Sequence, residues 1–239
     1  MSTSREQILG RIRRKLGAEN RAQSERAVAQ RLKNPGPQGD ANPIPDRAQG
    51  KNRDERLKIF RDRAERVNCT VAGVSSLDEV PAAIADYLAE RNLPSSAVMS
   101  PDSGLDGIPW DNQPLLTVRR GRSEDSDAVG ITPVVAGVAE TGTLVMLSGA
   151  ETPTTINLTP DTHVAVVRTS QIVGTYEETW AELRRREPRS GDGNFMPRTV
   201  NWITGPSRTA DIAKTIFLGA HGPRQIHIVL VDDGGAEEN

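Results

Sequence analysis

Residues 202–232 decide the fold of this chain. They read Trp-Ile-Thr-Gly-Pro-Ser-Arg-Thr-Ala-Asp-Ile over 202–212, Gly-Ala-His-Gly-Pro over 219–223 and Ile-His-Ile-Val-Leu-Val-Asp over 226–232. An apolar run, a Gly-Pro-Ser turn, an amphipathic segment and a second apolar run predict a strand–turn–helix–strand unit. Such a unit places two parallel strands in one sheet. A helix that begins at small residues directs free backbone N–H groups at one point, which suits a small acidic ligand.

Upstream of this unit, short runs of Val, Ile and Leu alternate with helical patterns. Alternating strands and helices predict an α/β fold with an open, mostly parallel sheet. The predicted strands cover residues 70–74, 97–99, 115–118, 134–138, 143–147 and 164–167, and the predicted helices cover residues 54–67, 77–91 and 176–186. The segment 121–130 is polar and acidic, and predicts little regular structure.

The N-terminal part of the chain differs from the rest in composition. Residues 1–33 contain two basic helical patterns, and residues 34–50 are rich in Pro and Gly, which is typical of an extended linker. We therefore predict a basic helical arm over 1–33, a linker over 34–50, the α/β domain over 51–233 and a disordered tail over 234–239. The basic face of the arm is either a solvated surface or a docking element for a partner.

Composition excludes several classes of function. The formal net charge of −2 over 239 residues gives no general reason to expect nucleic-acid binding. No apolar run approaches the roughly 20 residues that a membrane span requires, and the N-terminus lacks an apolar signal core, so we expect a cytoplasmic protein. Cys69 is the only cysteine, and one thiol cannot hold an iron–sulfur cluster or a Cys-rich zinc site. The three histidines show no metal-ligand spacing.

The turn at Gly205-Pro206-Ser207 is the first candidate site. Ser207 is either a helix N-cap or, together with Thr209, a hydroxyl contact at the rim of an anion site. Asp211 would lie in the first helical turn, either as a capping charge or in a catalytic role.

His221 is the second candidate, because it lies between small residues and immediately before a strand. With Gly222 beside it, its imidazole is uncrowded and suits a general acid–base or an anion contact, the alternative being a loop histidine held by a backbone carbonyl. His227 falls inside the following strand and is interpreted as structural.

Glu140 is the third candidate, at the junction between two apolar runs. A glutamate is awkward in a buried sheet without partners. It is either a nucleophile or general base, or it accepts hydrogen bonds from loop N–H groups and fixes the turn. The neighbouring residues Thr141, Gly142 and Thr143 are predicted ligand contacts in the same turn.

Three blocks of the sequence resemble the signature blocks of a known family. They are Ala139-Glu140-Thr141-Gly142-Thr143, residues 203–212, and Gly219-x-His221-Gly222-Pro223 with residues 227–232. In this order they resemble the lactate utilization protein C family, also called LutC/YkgG, which carries the LUD domain. The N-terminal pattern Ile8-Leu9-Gly10-Arg11-Ile12 before a Pro-rich linker is similar too.

The resemblance implies a fold similar to the sugar-phosphate isomerase and CoA-transferase superfamily, with helices on both faces of the sheet. It also implies a role as one subunit of a three-protein iron–sulfur complex that oxidises L-lactate to pyruvate, with the clusters in the companion subunits and none in this chain. The related transferases use the glutamate of a Glu-x-Gly turn as nucleophile, and Glu140-Thr141-Gly142 resembles that turn. Two functions follow. One is an accessory subunit that binds a small anion or a nucleotide. The other is a free-standing CoA-transferase-like or sugar-phosphate enzyme that uses Glu140 and His221.

Overall fold

The structure, a computed structural model, describes residues 4–33, 45–185, 197–210 and 216–234. The chain divides into two compact units, residues 1–44 and residues 45–239. Residues 34–44 of the predicted linker, the glycine-rich loop around residue 192 and residues 235–239 of the predicted tail lie outside the described residues. Ala48, in the remaining part of that linker, is fully buried, so the second unit is already folded before residue 51.

The first unit contains the helices α1 (Ser4–Leu16) and α2 (Ala18–Lys33). Gly17 joins them with a φ of +66° and donates its N–H to the carbonyl oxygen of Arg13 over 3.2 Å. A glycine suits this position because it ends a helix in the left-handed conformation without steric cost. Ile8 and Ile12 of α1 are 59% and 48% exposed.

The described part of the second unit contains four further α-helices and twelve strands. The helices are α3 (Arg53–Arg66), α4 (Val80–Glu90), α5 (Thr154–Leu158) and α6 (Tyr176–Arg185). The strands are β1 (Thr70–Val74), β2 (Ser96–Met99), β3 (Thr117–Arg120), β4 (Val129–Pro133), β5 (Ala136–Val138), β6 (Thr143–Leu147), β7 (Thr162–Arg168), β8 (Ile172–Val173), β9 (Val200–Ile203), β10 (Arg208–Ala210), β11 (Ile216–Leu218) and β12 (Gln225–Val231).

A six-stranded sheet lies at the centre of this unit, in the order β1-β12-β7-β4-β2-β3. Every neighbouring pair in it is parallel. His227 of β12, for example, lies between Thr70 of β1 and Val164 of β7. The predicted α/β class with a mostly parallel sheet is therefore confirmed.

Alternate residues of the central strands pack on opposite faces of the sheet, because side chains alternate along a strand. On β12, Val229 and Val231 face the cluster that contains Ile84 and Leu88 of α4. The intervening residues face a second cluster, which contains Phe60 of α3. Helices therefore cover both faces, as expected.

The second face also carries a smaller sheet, which the sequence analysis did not predict. Its order is β8-β5-β6-β9, and β6 is antiparallel to both of its neighbours. Leu144 and Met146 of β6 belong to the same core cluster as Phe60 of α3. The apolar runs of β5 and β6 thus fill this layer instead of extending the central sheet.

The predicted strand–turn–helix–strand unit at residues 202–232 is wrong. β9 belongs to the smaller sheet and β12 to the central one, and the Gly-Pro-Ser turn leads into β10, which pairs antiparallel with β11. Thr209 pairs with Phe217 in this hairpin, and Ala210 with Ile216. β-Branched and aromatic residues favour strands, so strand pairing overrides the helical spacing in this segment. Asp211, predicted to begin the helix, lies outside the described residues.

Candidate functional site

The Ala-Glu-Thr-Gly-Thr turn, residues 139–143, connects β5 to β6 and packs closely against α3. Gly142 has a φ of +70°. A Cβ built at Gly142 would overlap the backbone nitrogen of Ala64 and lie 2.7 Å from the carbonyl carbon of Arg63. Only glycine combines that conformation with so close an approach of a helix backbone.

A cluster of hydroxyl groups joins this turn to the Gly-Pro-Ser turn. The Oγ1 atom of Thr143 lies 2.7 Å from Oγ1 of Thr141, 2.9 Å from Oη of Tyr176 and 2.6 Å from Oγ1 of Thr204. Because β6 and β9 pair antiparallel, the end of β9 delivers Thr204 beside the start of β6. Gly205 follows, and a Cβ there would lie 2.5 Å from the carbonyl oxygen of Val67. Both turns therefore rest on the C-terminal end of α3.

Glu140 is 4% exposed and holds the start of α6. Its Oε1 atom accepts a hydrogen bond from the backbone N–H of Tyr176, the first residue of α6, over 3.3 Å. Its own N–H donates to the carbonyl oxygen of Gly174 over 3.1 Å. A carboxylate is stabilised at a helix N-terminus by the unpaired N–H groups and the helix dipole. The geometry favours the interpretation of Glu140 as the residue that fixes the turn.

Ser207 and His221 are neighbours, but the backbone amides around them are already used. The N–H of Ser207 donates to the carbonyl oxygen of Pro223 over 2.8 Å, and the N–H of Gly219 donates to the carbonyl oxygen of Ser207 over 3.0 Å. The N–H of His221 donates to Oγ of Ser207 over 3.2 Å. A Cβ at Gly222 would lie 3.4 Å from Cβ of Ser207. The expectation of free converging N–H groups is therefore wrong at these positions.

This pair lies at a defined edge of the central sheet. The 219–223 loop precedes β12, so Ser207 and His221 lie at the amino-terminal edge of the central sheet and not at its carboxyl-terminal edge. No hydrogen bond or ion pair joins Glu140 to His221 among the residues that the structure describes. The three sequence blocks therefore meet at one end of the molecule, but without an acid–base pair between them.

A cavity of about 180 Å³ opens beside the Gly-Pro-Ser turn at the same edge of the sheet. Pro206 forms part of its wall, and three arginines line it: Arg91 just after α4, Arg208 of β10 and Arg224 just before β12. Sequence reasoning missed these arginines as a group. They are far apart in the chain, and only the folded structure brings their segments to one cavity.

His227 lies next to the wall of this cavity and is structural, as predicted from its place in a strand. Its ring stacks on Tyr87 with 3.9 Å between centroids and 6° between planes. Its Nδ1 atom lies 2.8 Å from Oγ1 of Thr70. Burial lowers the pKa of His227 to about 4, because the charged imidazolium would lose its hydration. The ring is therefore neutral near neutral pH.

The carboxyl-terminal edge of the sheet, where open α/β sheets usually bind ligands, has little free space. A cavity of about 20 Å³ lies between the ends of β2 and β4, lined by polar groups of Ser100, Thr132 and Asn157. That volume holds about one water molecule. Of these two cavities, the one at the opposite edge has room for a ligand.

The potential metal ligands among the described residues are scattered and do not assemble a metal centre. No group of three or more His, Cys, Asp or Glu side chains suited to a metal comes together within residues 4–33, 45–185, 197–210 and 216–234. Cys69 is buried, as predicted, and burial raises the pKa of its thiol to about 12. A protonated, isolated thiol is a poor metal ligand. Among the described helices, none has the length and apolarity to cross a bilayer.

Comparison with known proteins places these features in a family. The LUD domain matches residues 117–231. Lactate utilization protein C of an Exiguobacterium species is 30% identical over 97% of both chains. The protein of that name from Bacillus subtilis is 35% identical over 44% of this chain and 42% of its own.

A solved structure agrees with these matches. The crystal structure of a DUF162 family protein from Deinococcus radiodurans is similar with a TM-score of 0.53 and 29% identity, covering 76% of this chain and 99% of that one. Since the Exiguobacterium protein matches along nearly its whole length, this chain belongs to the lactate utilization protein C family, which carries the LUD domain.

Proposed function

We propose that this chain is a cytoplasmic accessory subunit in the oxidation of L-lactate, that it binds a small acidic ligand, and that companion subunits hold the iron–sulfur clusters. The name of its full-length relative, lactate utilization protein C, supports a role in lactate utilization. The single, buried thiol of Cys69 is consistent with clusters that are held elsewhere.

The observation that carries the accessory role is the environment of Glu140. A CoA transferase needs a carboxylate that can attack an acyl carbon, and the attacking oxygen must be open to the substrate. Here the side chain is 4% exposed and accepts a hydrogen bond from the first N–H of α6. Releasing it would leave the start of α6 without this cap. The alternative, a free-standing enzyme that uses Glu140 and His221, therefore requires a rearrangement that the accessory role does not.

The N-terminal arm is the proposed docking element for the companions. In α1, Ile8 and Ile12 are half-exposed, and basic residues fill its last turn. An apolar stripe on a short helix is stabilised when another surface covers it. A partner surface that is apolar with an acidic border fits this pattern.

Co-purification with tagged iron–sulfur companions tests the proposal. A chain without residues 1–33 and the double variant Ile8→Ser/Ile12→Ser should both lose most of the companion protein, while their far-ultraviolet circular dichroism shows a folded core. Leu115→Ser, which removes an exposed apolar residue outside the arm, is the control and should assemble normally. Unchanged assembly of the truncated chain would refute the docking role.

Incubation with acyl-CoA esters tests the alternative. The accessory role predicts no covalent glutamyl thioester on the wild-type protein by mass spectrometry. A thioester that forms on the wild type and disappears in Glu140→Gln would establish the free-standing transferase instead.

A further inference from the structure

We propose that the arginine-lined cavity binds the phosphate group of a small phosphomonoester. This inference deepens the small-ligand part of the proposed function and rests on it. The site is a cavity of about 180 Å³ with three arginines, Arg91, Arg208 and Arg224, among the residues that line it. Among the described residues that line it, no side chain carries a carboxylate.

The described residues offer little compensation for the three positive charges. Arg208 has no hydrogen-bond or ion-pair partner within the described part of the chain. Arg91 places its guanidinium 5.7 Å from the centroid of the Tyr87 ring, a cation–π contact that leaves its N–H groups unpaired with any described carboxylate. Like charges gathered in a recess repel one another, and a bound anion removes that cost.

Arg224 has one acidic neighbour, but the pair is weak. Its Nε atom lies 3.5 Å from a carboxylate oxygen of Asp161, and both side chains are mostly exposed. Exposed ion pairs of this kind contribute about 0–1 kcal/mol, because water screens them. The remaining N–H groups of Arg224 are therefore available to a stronger anionic partner.

The arrangement of the arginines favours a phosphate over a carboxylate. They come from three different elements, namely the end of α4, β10 and the segment before β12, and all three residues line the cavity. A planar carboxylate is satisfied by one bidentate guanidinium. A phosphate monoester presents three terminal oxygens and up to two negative charges, and arginine forks match that geometry.

The rest of the wall suits a small organic body attached to the phosphate. Pro206, Leu218 and Ile226 line the cavity beside the arginines, and Leu218 is 53% exposed. The hydroxyl groups of Thr70 and Tyr87 add uncharged polar contacts. Cavities that bind drug-sized ligands measure about 300–1,000 Å³. The smaller volume here indicates a compact metabolite.

Isothermal titration calorimetry on the full-length chain tests the inference, with glycerol phosphate, inorganic phosphate, succinate and lactate as probes at constant ionic strength. Glycerol phosphate should bind most tightly, with inorganic phosphate next. Arg91→Gln and Arg208→Gln should each weaken binding by about tenfold or more, because each removes a charge-assisted contact. Arg122→Gln, an exposed arginine beside β3 at the far edge of the central sheet, should bind like the wild type.

Arg208→Lys keeps the positive charge but loses the bidentate guanidinium, so it should lose less affinity than Arg208→Gln. If Arg208→Gln fails to fold, Arg208→Lys takes its place in the test. Equal binding by the wild type and the arginine variants overturns the inference. So does a failure of the wild type to bind phosphate. Binding of succinate or lactate that depends on the arginines and is tighter than the binding of phosphate also overturns it. The titration uses the chain without companions. Loss of phosphate binding with normal co-purification therefore contradicts this inference alone, and phosphate binding without co-purification contradicts the subunit role alone.

Discussion

Two buried histidines should make the stability of this protein fall as the pH drops from about 7 to about 5. His163 is fully buried and His227 nearly so, and burial lowers the pKa of each from 6.5 to about 4. Each ring has one hydrogen-bond partner, Thr132 for His163 and Thr70 for His227. The other nitrogen of each ring is buried without a partner among the described residues, so added protons find no acceptor there.

The sign follows from the direction of these shifts. Above about pH 6.5 the histidines are neutral in the folded and unfolded states, and they do not affect the pH dependence. Between about 6.5 and 4 the unfolded chain binds protons that the folded chain excludes, so the free energy of unfolding decreases as the pH falls. Below about 4 both states are protonated and the loss levels off.

The magnitude follows from 1.36 kcal/mol per pKa unit. At pH 5 each histidine should lower the free energy of unfolding by about 2 kcal/mol, and the pair by about 4 kcal/mol. A typical domain has about 5–15 kcal/mol in total, so the effect is large. Most carboxyl groups titrate near pH 4, so the change in stability between pH 7 and pH 5 comes mainly from the histidines.

Urea denaturation at pH 7, 6 and 5 measures this loss. His163→Asn and His227→Asn will each lower stability at pH 7, but each should remove about half of the pH dependence, and the double variant should remove nearly all of it. His221→Asn, at an exposed loop position, controls for the substitution itself. A wild-type stability that is the same at pH 7 and pH 5, or a slope that persists in the double variant, would refute the reasoning.

Two substitutions test the packing of the 139–143 turn, both by urea denaturation at neutral pH. Gly142→Ala should cost about 1–3 kcal/mol more than Gly50→Ala, because the two glycines share a positive φ but only Gly142 faces a helix backbone; equal costs would contradict the close contact with α3. Thr143→Val should cost about 1–3 kcal/mol, because it leaves the hydroxyls of Tyr176 and Thr204 without this partner, whereas Thr143→Ser keeps it. Equal stability of these two variants would show that the hydroxyl cluster contributes nothing.

The elements that carry strong local patterns were predictable from the sequence. β1 has the bounds that the apolar run indicates, and α3 begins one residue before the predicted start. Its start is fixed locally, since Asn52 and Glu55 cap each other's backbone N–H groups in a capping box. Such signals lie within a few residues and need no knowledge of the fold.

The sequence did not predict β4, because one of its residues is determined by contact with a distant helix and not by the pattern of a strand. Its strand includes Gly130 and Pro133, which weaken a strand pattern. The glycine is explained by α5, since a Cβ at Gly130 would lie 2.7 Å from the carbonyl oxygen of Ile156. The reason for that residue lies more than twenty positions downstream, where no local pattern reveals it.

The sequence did not predict which groups beside the Gly-Pro-Ser turn could hold an anion. Ser207, in the Gly-Pro-Ser turn, does lie beside His221. The N–H of each residue, however, donates a hydrogen bond to the segment that contains the other, so neither N–H is free. The anion-binding groups that the structure offers are arginine side chains from separate elements. The wall that they share depends on strand order, because the starts of β1 and β12, which also line the cavity, become neighbours only when the sheet is assembled.

The turn at Gly205 determines where one of those arginines, Arg208, lies. Gly205 brings the chain against Val67 at the end of α3. Asn68 and Thr70, which follow Val67 in the sequence, form part of the cavity wall. The same approach fixes the start of the hairpin, so that Pro206 and Arg208 reach that wall from the other side. The backbone contacts of the Gly-Pro-Ser turn thus position Arg208, which directly follows the turn. One of the three charges that would recognise a ligand, that of Arg208, belongs to the signature block 203–212, whereas Arg91 and Arg224 lie in segments outside the signature blocks.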